Sequence, residues 1–299
     1  MNAGLLVEQA FNGLQLGMML FLMAIGVTLV FGVMNLINLA HGSMLMLGAY
    51  VLAATAAKIP SFALALVAAM VLVAIVSALI EVLIVRPLYP RGHLDQVLAT
   101  FGLSIALNDA VIMVWGREAV FIAPPSWLDG AVQLTTSFSY PIYRLAITAV
   151  AVAAGAGLWL LLSRTRLGMR IRAGAEKSDI VGALGVNIRA LFTVVFVISS
   201  LLAALAGMML GPLLAVQSGM GDPLLILALA VVVIGGVGSL KGALFASLAV
   251  GLIDTFGRML WPQLFGEIVG NIVANAAVYI LMALVIAIRP VGLFGKYAH

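Results

Sequence analysis

The sequence predicts an all-α polytopic membrane protein, and three observations predict it. Hydrophobic residues make up 64% of the 299 and charged residues only 9%, a balance more apolar than any soluble core of this size requires. The apolar runs repeatedly exceed about eighteen residues, the length that carries a helix across a bilayer. These runs are continuous and rich in Ala, Leu, Val and Met, without the alternation of a membrane barrel strand. Cysteine is absent, which excludes a disulfide framework and a thiolate metal site, and the three histidines are scattered. The net charge of +4 resides in loops between apolar runs rather than on a nucleic-acid surface. The amino terminus lacks a basic n-region and a cleavage site, so the first apolar run is expected to be retained.

Residues 1–10 carry one charge, Glu8, which leaves the amino terminus free to sit outside. The first span is expected over about 11–33, with Gly13 and Gly17 in the spacing that lets helices approach closely. A second, about 36–57, begins with the polar string Asn35, Asn38, His41, Gly42 and Ser43. The third, about 62–85, ends on Arg86, Pro87, Pro90 and Arg91, whose arginines place that end in the cytosol. The fourth covers about 94–115. The loop after it, about 116–141, sets Arg117, with Arg144 just beyond it, against Glu118 and Asp129; this balance marks it as external, hence periplasmic. Its Thr-, Ser- and aromatic-rich stretch at 132–143 predicts a small hairpin. The fifth span is about 142–162 and the sixth about 191–214, where Ala203, Gly207 and Gly211 lie four apart and predict a smooth ridge. Asp222 is the one charge in the following turn. Spans at about 224–237 and 243–260 are separated by a Gly-rich turn, and a last one at about 268–288 ends at Arg289 and Lys296.

Charge parity fixes the count. Placing the basic regions 86–91, 164–189 and 289–296 all inside requires the stretch 224–260 to cross twice. About nine passes follow, within a range of eight to ten, with the amino terminus outside and the carboxyl terminus inside.

The longest polar interruption, 164–189, carries Arg164, Arg166, Arg170, Arg172, Lys177 and Arg189 against Glu176 and Asp179, a local balance of +4. A loop this basic lies in the cytosol. Its middle, about 173–184, contains helix formers followed by Gly182 and Gly185 as stop signals, and predicts a short cytosolic helix. A pure anchor needs only scattered Lys and Arg. Here the basic residues precede a compact Ala- and Gly-rich helix that another surface can approach closely, which makes Arg172, Ala173, Glu176, Asp179, Gly182 and Gly185 the expected contacts with a cytosolic partner.

Glycines and polar residues interrupt two apolar runs about 200 residues apart: Leu39, Ala40, His41, Gly42, Ser43 in one, and Ser239, Leu240, Lys241, Gly242, Ala243 in the other. Paired interruptions in two halves of a transporter point to its pathway, because freed backbone groups line a wet cavity but cannot face lipid. Asn38, His41, Gly42, Ser43, Gly236, Gly238 and Ser239 are therefore candidate pathway residues. Plainer roles stand beside these: His41 as a hydrogen-bonded packing residue, Asn35 and Asn38 as interhelical glue worth about 1 kcal/mol each, Lys241 as a snorkelling anchor. Asp109 and Asp254 sit in apolar runs where a bare charge costs about 2.5–3.5 kcal/mol, so each is expected at an interface or facing protein. Trp115, Trp159 and Trp261, near span ends, read as interfacial belt residues.

The basic loop carries Thr165, Gly168, Arg172 and Ala173, then Gly185, Val186 and Asn187. This order resembles the T-x-x-G-x-x-x-R-A and G-[IV]-N of the coupling loop in permease subunits of the high-affinity branched-chain amino acid ABC importer family. The likeness continues in sequence order. Ile37 to Gly42 resembles I-N-F-A-H-G, with Leu39 where Phe is usual; Arg86, Pro87, Leu88 and then Thr100 to Ser104 resemble its R-P-L and T-x-G-[LM]-S. Gly235 to Ser239 resembles G-G-x-G-S, and Arg289 to Gly295 its closing R-P-x-G-L-F-G, with Val291 in place of the commoner basic residue. Met44 and Met46 leave the lining chemistry open, and with it the substrate.

The resemblance implies a single permease domain over 1–299 with a type II-like ABC importer fold, in a bacterial inner membrane. It implies a heteromeric importer: a second homologous permease, two cytosolic ATPase subunits and a periplasmic solute-binding protein. Such a machine moves a small amphiphilic solute, branched-chain or other neutral amino acids, from periplasm to cytoplasm by alternating access; relatives carry urea, short amides or aromatic acids. This chain is then not an enzyme: it has no G-x-x-x-x-G-K-[ST], and ATP and Mg belong to the partner subunits, with no cofactor or metal of its own. The alternative, a stand-alone ion-coupled secondary transporter, requires an essential embedded carboxylate at Asp109 or Asp254. An intramembrane hydrolase using Ser43 or Ser239 with His41 lacks an evident oxyanion loop.

Overall fold

The computed structural model describes residues 3–135 and 138–295. Its helices are α1 (Ala3–Met34), α2 (His41–Ala56), α3 (Phe62–Ile80), α4 (His93–Trp115), α5 (Ile142–Arg164), α6 (Arg166–Ala183), α7 (Ile188–Leu210), α8 (Asp222–Gly235), α9 (Leu240–Phe265) and α10 (Glu267–Ile288). Strands β1 (Ala131–Thr135) and β2 (Phe138–Pro141) pair antiparallel, the hairpin expected at 132–143. Residues 136–137, like Lys296, lie outside the described residues.

Among the described residues, seven helices are long and apolar enough to cross a membrane: α1, α3 with its extension to Leu88, α4, α5, α7, α9 and α10. The chain is a multi-pass helical membrane protein. The expected spans at about 36–57 and 224–237 differ, forming α2 and α8 of only 16 and 14 residues. At 1.5 Å per residue they reach roughly 24 and 21 Å, short of a hydrocarbon core of about 30 Å. The apolar runs in the sequence are longer than these helices because residues 35–40 and 236–239 beside them leave the helical path.

The chain forms two compact units, one gathering 1–28, 124–153 and 226–299, the other 29–123 and 154–225. In the first, Gly13 and Gly17 of α1 lie against Ser247, Leu248 and Leu252 of α9. A Cβ on Gly251 would overlap the backbone of Gly13 and Gly17, so the expected close approach is real and reciprocal. The hairpin is fastened to α1: Tyr140 donates to Asn12 Oδ1 at 3.2 Å, Arg144 also donates to that oxygen, and the Phe11 and Tyr140 rings lie 5.2 Å apart. Burial pushes the Tyr140 phenol above its ordinary range. Asp254 is buried but not bare, for Arg258 one turn on donates to both its oxygens at 2.9 Å. Trp261 stacks on Phe265 at 5.8 Å.

In the second unit α2 is the core element, buried continuously from His41 to Leu52. A helix apolar on all sides needs neighbours on all sides, and small residues let them in. A Cβ on Gly207 of α7 would overlap the Leu45 carbonyl, and one on Gly48 would overlap the Ala204 backbone, so of the expected ridge Gly207 lies in the seam between α2 and α7, while Gly211, just past the end of α7, faces Ile122 and Val216. On α3, Ala65, Ala69 and Val73 lie four apart and fully buried against Leu47, Val51 and Leu52. Tyr50 tilts against Trp115 at 5.3 Å, which gives that tryptophan a packing role. Asp109 is exposed on α4, and Trp159 is exposed on α5.

Gly207→Leu must push α2 from α7 and costs about 1–3 kcal/mol or more, read as a lower Tm of the purified protein. Gly157→Leu, at a glycine with open space around it, leaves Tm unchanged.

Candidate functional site

The basic interruption folds as α6, which begins earlier than the sequence suggested. Thr165 caps it, accepting the Gly168 N–H at 3.0 Å, and Arg164 and Arg166 flank that cap. The helix then runs from Arg166, not from about 173, because the Thr165 cap outweighs the local glycines; it kinks at Lys177, whose φ of −150° and ψ of 81° leave the helical region. One face is buried at Gly168, Ile171, Gly174 and Val181. A Cβ on Gly168 would overlap the Leu161 and Leu162 carbonyls, so α6 folds back hard on the end of α5. The other face presents Arg172, Ala173, Glu176 and Asp179 to solvent.

α6 ends where Gly182 and Gly185 predicted a stop. Leu184 is the last cap, Gly185 takes the left-handed conformation at φ 88°, and Val186 N–H reaches back to Val181 O at 3.3 Å while Gly185 N–H bonds Gly182 O at 3.0 Å, the double bond of a Schellman stop. Asn187 caps α7 at once, accepting the Ala190 N–H at 3.0 Å. Two helices therefore meet in a turn of four residues, 184–187, with almost no slack. Between them opens a cleft of about 380 Å³ lined by Leu167, Arg170, Leu184, Val186, Asn187 and Leu191. The exposed face of α6 is thus tied at both ends and stands beside this cleft.

The break before α2 gathers the first set of candidate pathway residues. Asn35 adopts a left-handed φ of 49°. Asn38 Oδ1 accepts the Ala40 N–H at 3.0 Å, while its buried Nδ2 has no hydrogen-bond partner among the described residues. His41, Gly42 and Ser43 open α2 and are buried. α4 supplies what the broken backbone lacks: Thr100 Oγ1 accepts the Leu39 N–H at 3.1 Å, and the Ser43 and Ser104 hydroxyls pair at 2.8 Å. Gly42 lies backbone to backbone with Gly221, just ahead of α8. Two stretches that read as separate motifs, 37–42 and 100–104, are thus one site.

Gly236, Gly238 and Ser239 form the turn between α8 and α9 in the other unit. Ser239 caps α9 by accepting the Gly242 N–H at 3.0 Å. The closing segment docks on this turn: Leu293 N–H bonds Ile234 O at 2.9 Å, Phe294 N–H bonds Gly235 O at 3.0 Å, and a Cβ on Gly236 would overlap Gly295 N. Only glycine permits that approach, and Gly236 has φ 96° besides.

Sequence reasoning missed Glu81. It is fully buried in a π-helical turn, Glu81–Val85, at the end of α3, and Arg86 N–H closes that turn on Glu81 O. Its carboxylate accepts from Arg86 Nε at 3.2 Å and Nη2 at 2.9 Å, from Tyr89 Oη at 2.5 Å and from Thr193 Oγ1 of α7 at 2.8 Å. The signal was a lone acid in an apolar run, a functional hypothesis by default. The five-residue spacing to Arg86 hid it, since α-helical neighbours stand three or four apart. Among the described residues no three His, Cys, Asp or Glu side chains converge on a metal position. Ser43 pairs with Ser104 and Ser239 caps a helix, so each hydroxyl has structural work.

Comparison with known proteins adds to this geometry. The family described as branched-chain amino acid transport system, permease component, matches residues 9–288. The chain is 31% identical to the high-affinity branched-chain amino acid transport system permease protein BraD of Pseudomonas aeruginosa, over 97% of this chain and 96% of that protein. It is 30% identical to the corresponding permease protein LivH of Escherichia coli, with 97% and 96% covered. A probable branched-chain amino acid transport permease protein LivH of Methanocaldococcus jannaschii is 27% identical over 93% of this chain and 89% of that protein. No solved structure matches.

Two changes probe the α6–α7 turn. Gly185→Ala and Asn187→Ala each cost about 1 kcal/mol, seen as faster amide exchange over 184–191 with exchange in α10 unchanged. At Tyr89, burial and then the Glu81 hydrogen bond push the phenol far above its usual 10.0. A raised folded value means that the stabilisation is complete below pH 10.0 and lost only as pH climbs through the folded pKa. Native ultraviolet titrations of the chain and of Tyr89→Phe therefore superimpose through the ordinary tyrosine range.

Proposed function

Because the chain belongs to the branched-chain amino acid transport system permease family, we propose that it is one membrane-spanning subunit of an ATP-binding-cassette importer for branched-chain or closely similar neutral amino acids. The observation that carries the proposal is α6, a helix with one face clamped to α5 and α7 and the other offering Arg172, Ala173, Glu176 and Asp179 to solvent. Cytosolic ATPase subunits bind that face, with Gly182 and Gly185 setting its end; ATP and Mg reside on those subunits. A second homologous permease completes the membrane part, and a periplasmic binding protein delivers the solute.

In a bacterial inner membrane the chain makes nine passes, counting α2 and α8 with their non-helical flanks, amino terminus periplasmic and carboxyl terminus cytoplasmic. Basic residues at 86–91, 164–189 and 289 then all face the cytosol. The α1–α2 break at Asn38, His41, Gly42 and Ser43 lines the pathway, because its unspent polar atom, Asn38 Nδ2, is the kind of group a passing polar solute satisfies. The α8–α9 turn at Gly236, Gly238 and Ser239 forms a second lining. Nucleotide-driven closure of the ATPases displaces α6 and α7 and switches the exposure of this lining, so the permease needs only modest affinity for its cargo.

Reversing the exposed acids tests the assignment. Glu176→Lys combined with Asp179→Lys lowers copurification of the ATPase subunits and solute-stimulated ATP hydrolysis at least tenfold, with the helical circular dichroism unchanged. Full assembly and stimulation in that variant contradict it.

A further inference from the structure

We infer that Glu81 is a positioning residue that ties the start of α7, and with it the α6–α7 turn, to the helix break ahead of α2. The inference rests on the importer function proposed above. A buried carboxylate is costly unless fully paired, and a local ion pair with Arg86 would meet that need. Glu81 takes more. Its donors come from two separate places: Arg86 and Tyr89 on the elbow after α3, and Thr193 on α7. Arg86 Nη2 also donates to Thr193 Oγ1 at 2.9 Å, closing a triangle, and the Tyr89 ring meets Phe192 edge-on at 5.3 Å. The elbow therefore grips α7 within two turns of the Asn187 cap.

Thr193 gives the grip two settings. Its hydroxyl has one proton and two acceptors in reach, Glu81 Oε2 at 2.8 Å and its own helix's Arg189 O at 2.9 Å. With the hydroxyl donating to Glu81 the helix is latched to the elbow; with the hydroxyl donating to Arg189 O the bond turns inward and α7 is freer to slide. Beyond the elbow the chain of bonds is unbroken. Gln96 Nε2 of α4 donates to Leu88 O at 3.3 Å and Arg91 O at 3.2 Å, Thr100 Oγ1 bonds Gln96 O at 2.8 Å, and Leu39 N–H bonds Thr100 Oγ1 at 3.1 Å. Each of these links is a hydrogen bond made by at least one side chain, so a shift of α7 is passed to the backbone at 35–40 rather than lost in apolar packing. The π-helical turn fits this role: it is the widened turn that lets Glu81 and Arg86, five apart, face the same partner.

The test uses the whole importer in lipid nanodiscs and vesicles, with Glu81→Gln and Thr193→Val, each close to the parent in shape. Three quantities are read: ATP hydrolysis, uptake of radiolabelled leucine per ATP, and the change in amide exchange on trapping nucleotide, at α6 and at 35–40. For both variants hydrolysis stays within twofold and α6 keeps its nucleotide-dependent protection, while uptake per ATP falls at least fivefold and the nucleotide-dependent change at 35–40 disappears. Unchanged uptake per ATP, or hydrolysis and uptake falling together with the α6 protection, overturns the inference and leaves Glu81 a purely structural residue. If α6 in the parent complex ignores nucleotide, the docking assignment itself fails and the latch loses its input, which overturns both.

Discussion

Inside a bilayer a peptide group that leaves the helical ladder must find its partner within the protein, and this one constraint organises the chain. Residues 35–40 leave the ladder between α1 and α2. The Leu39 amide is met by the Thr100 hydroxyl, that of Ala40 by the Asn38 side chain, and that of His41, where α2 begins, by the Asn38 carbonyl. Once α4 is needed to complete the break, α2 must start deep in the protein, run short and be enclosed. Enclosure in turn demands neighbours that come within backbone distance, which is why Gly48 meets Ala204 and Gly207 meets Leu45. Packing, length and polarity of α2 are consequences of one interrupted ladder.

The same constraint is met differently beyond α8. There the carbonyls of Ile234 and Gly235 accept from Leu293 and Phe294, so the closing segment of the chain supplies the missing donors. Gly236, Gly292 and Gly295 are needed because backbone, not side chains, fills the contact. Two breaks, one satisfied mainly by side chains and one by backbone, differ in how easily they can be remade: a side chain such as the Thr100 hydroxyl can rotate between partners, whereas a backbone pair must separate.

Much of this was legible in the sequence, for identifiable reasons. Apolar run length exposed the spans, four-residue spacing of small residues exposed the α1–α9 and α2–α7 seams, and Gly182 with Gly185 exposed the end of α6. The hairpin between α4 and α5 was legible from its Thr and aromatic content. What was hidden is what depends on partners distant in sequence. Nothing local says that 37–42 bonds to 100–104 or that 291–295 seats on 234–236. Run length could not distinguish α2 from a full span, since an apolar flank looks the same whether helical or broken. The start of α6 was misplaced because the Thr165 cap was passed over in favour of the later Ala-rich stretch, and Glu81 was passed over because its partner stands one residue outside helical spacing.

Force applied at α6 has a short, rigid route into the membrane, through a four-residue turn into α7 and across to α2. The central claim is that separate nucleotide-hydrolysing subunits supply that force, and uptake into sealed vesicles tests it most directly. Vesicles holding this chain with its sister permease and ATPases, loaded with ATP on the ATPase side, are predicted to accumulate leucine against a gradient when binding protein is added, and to stop when ATP is replaced by ADP even under an imposed ion gradient. Accumulation driven by the ion gradient in vesicles holding this chain alone would contradict it.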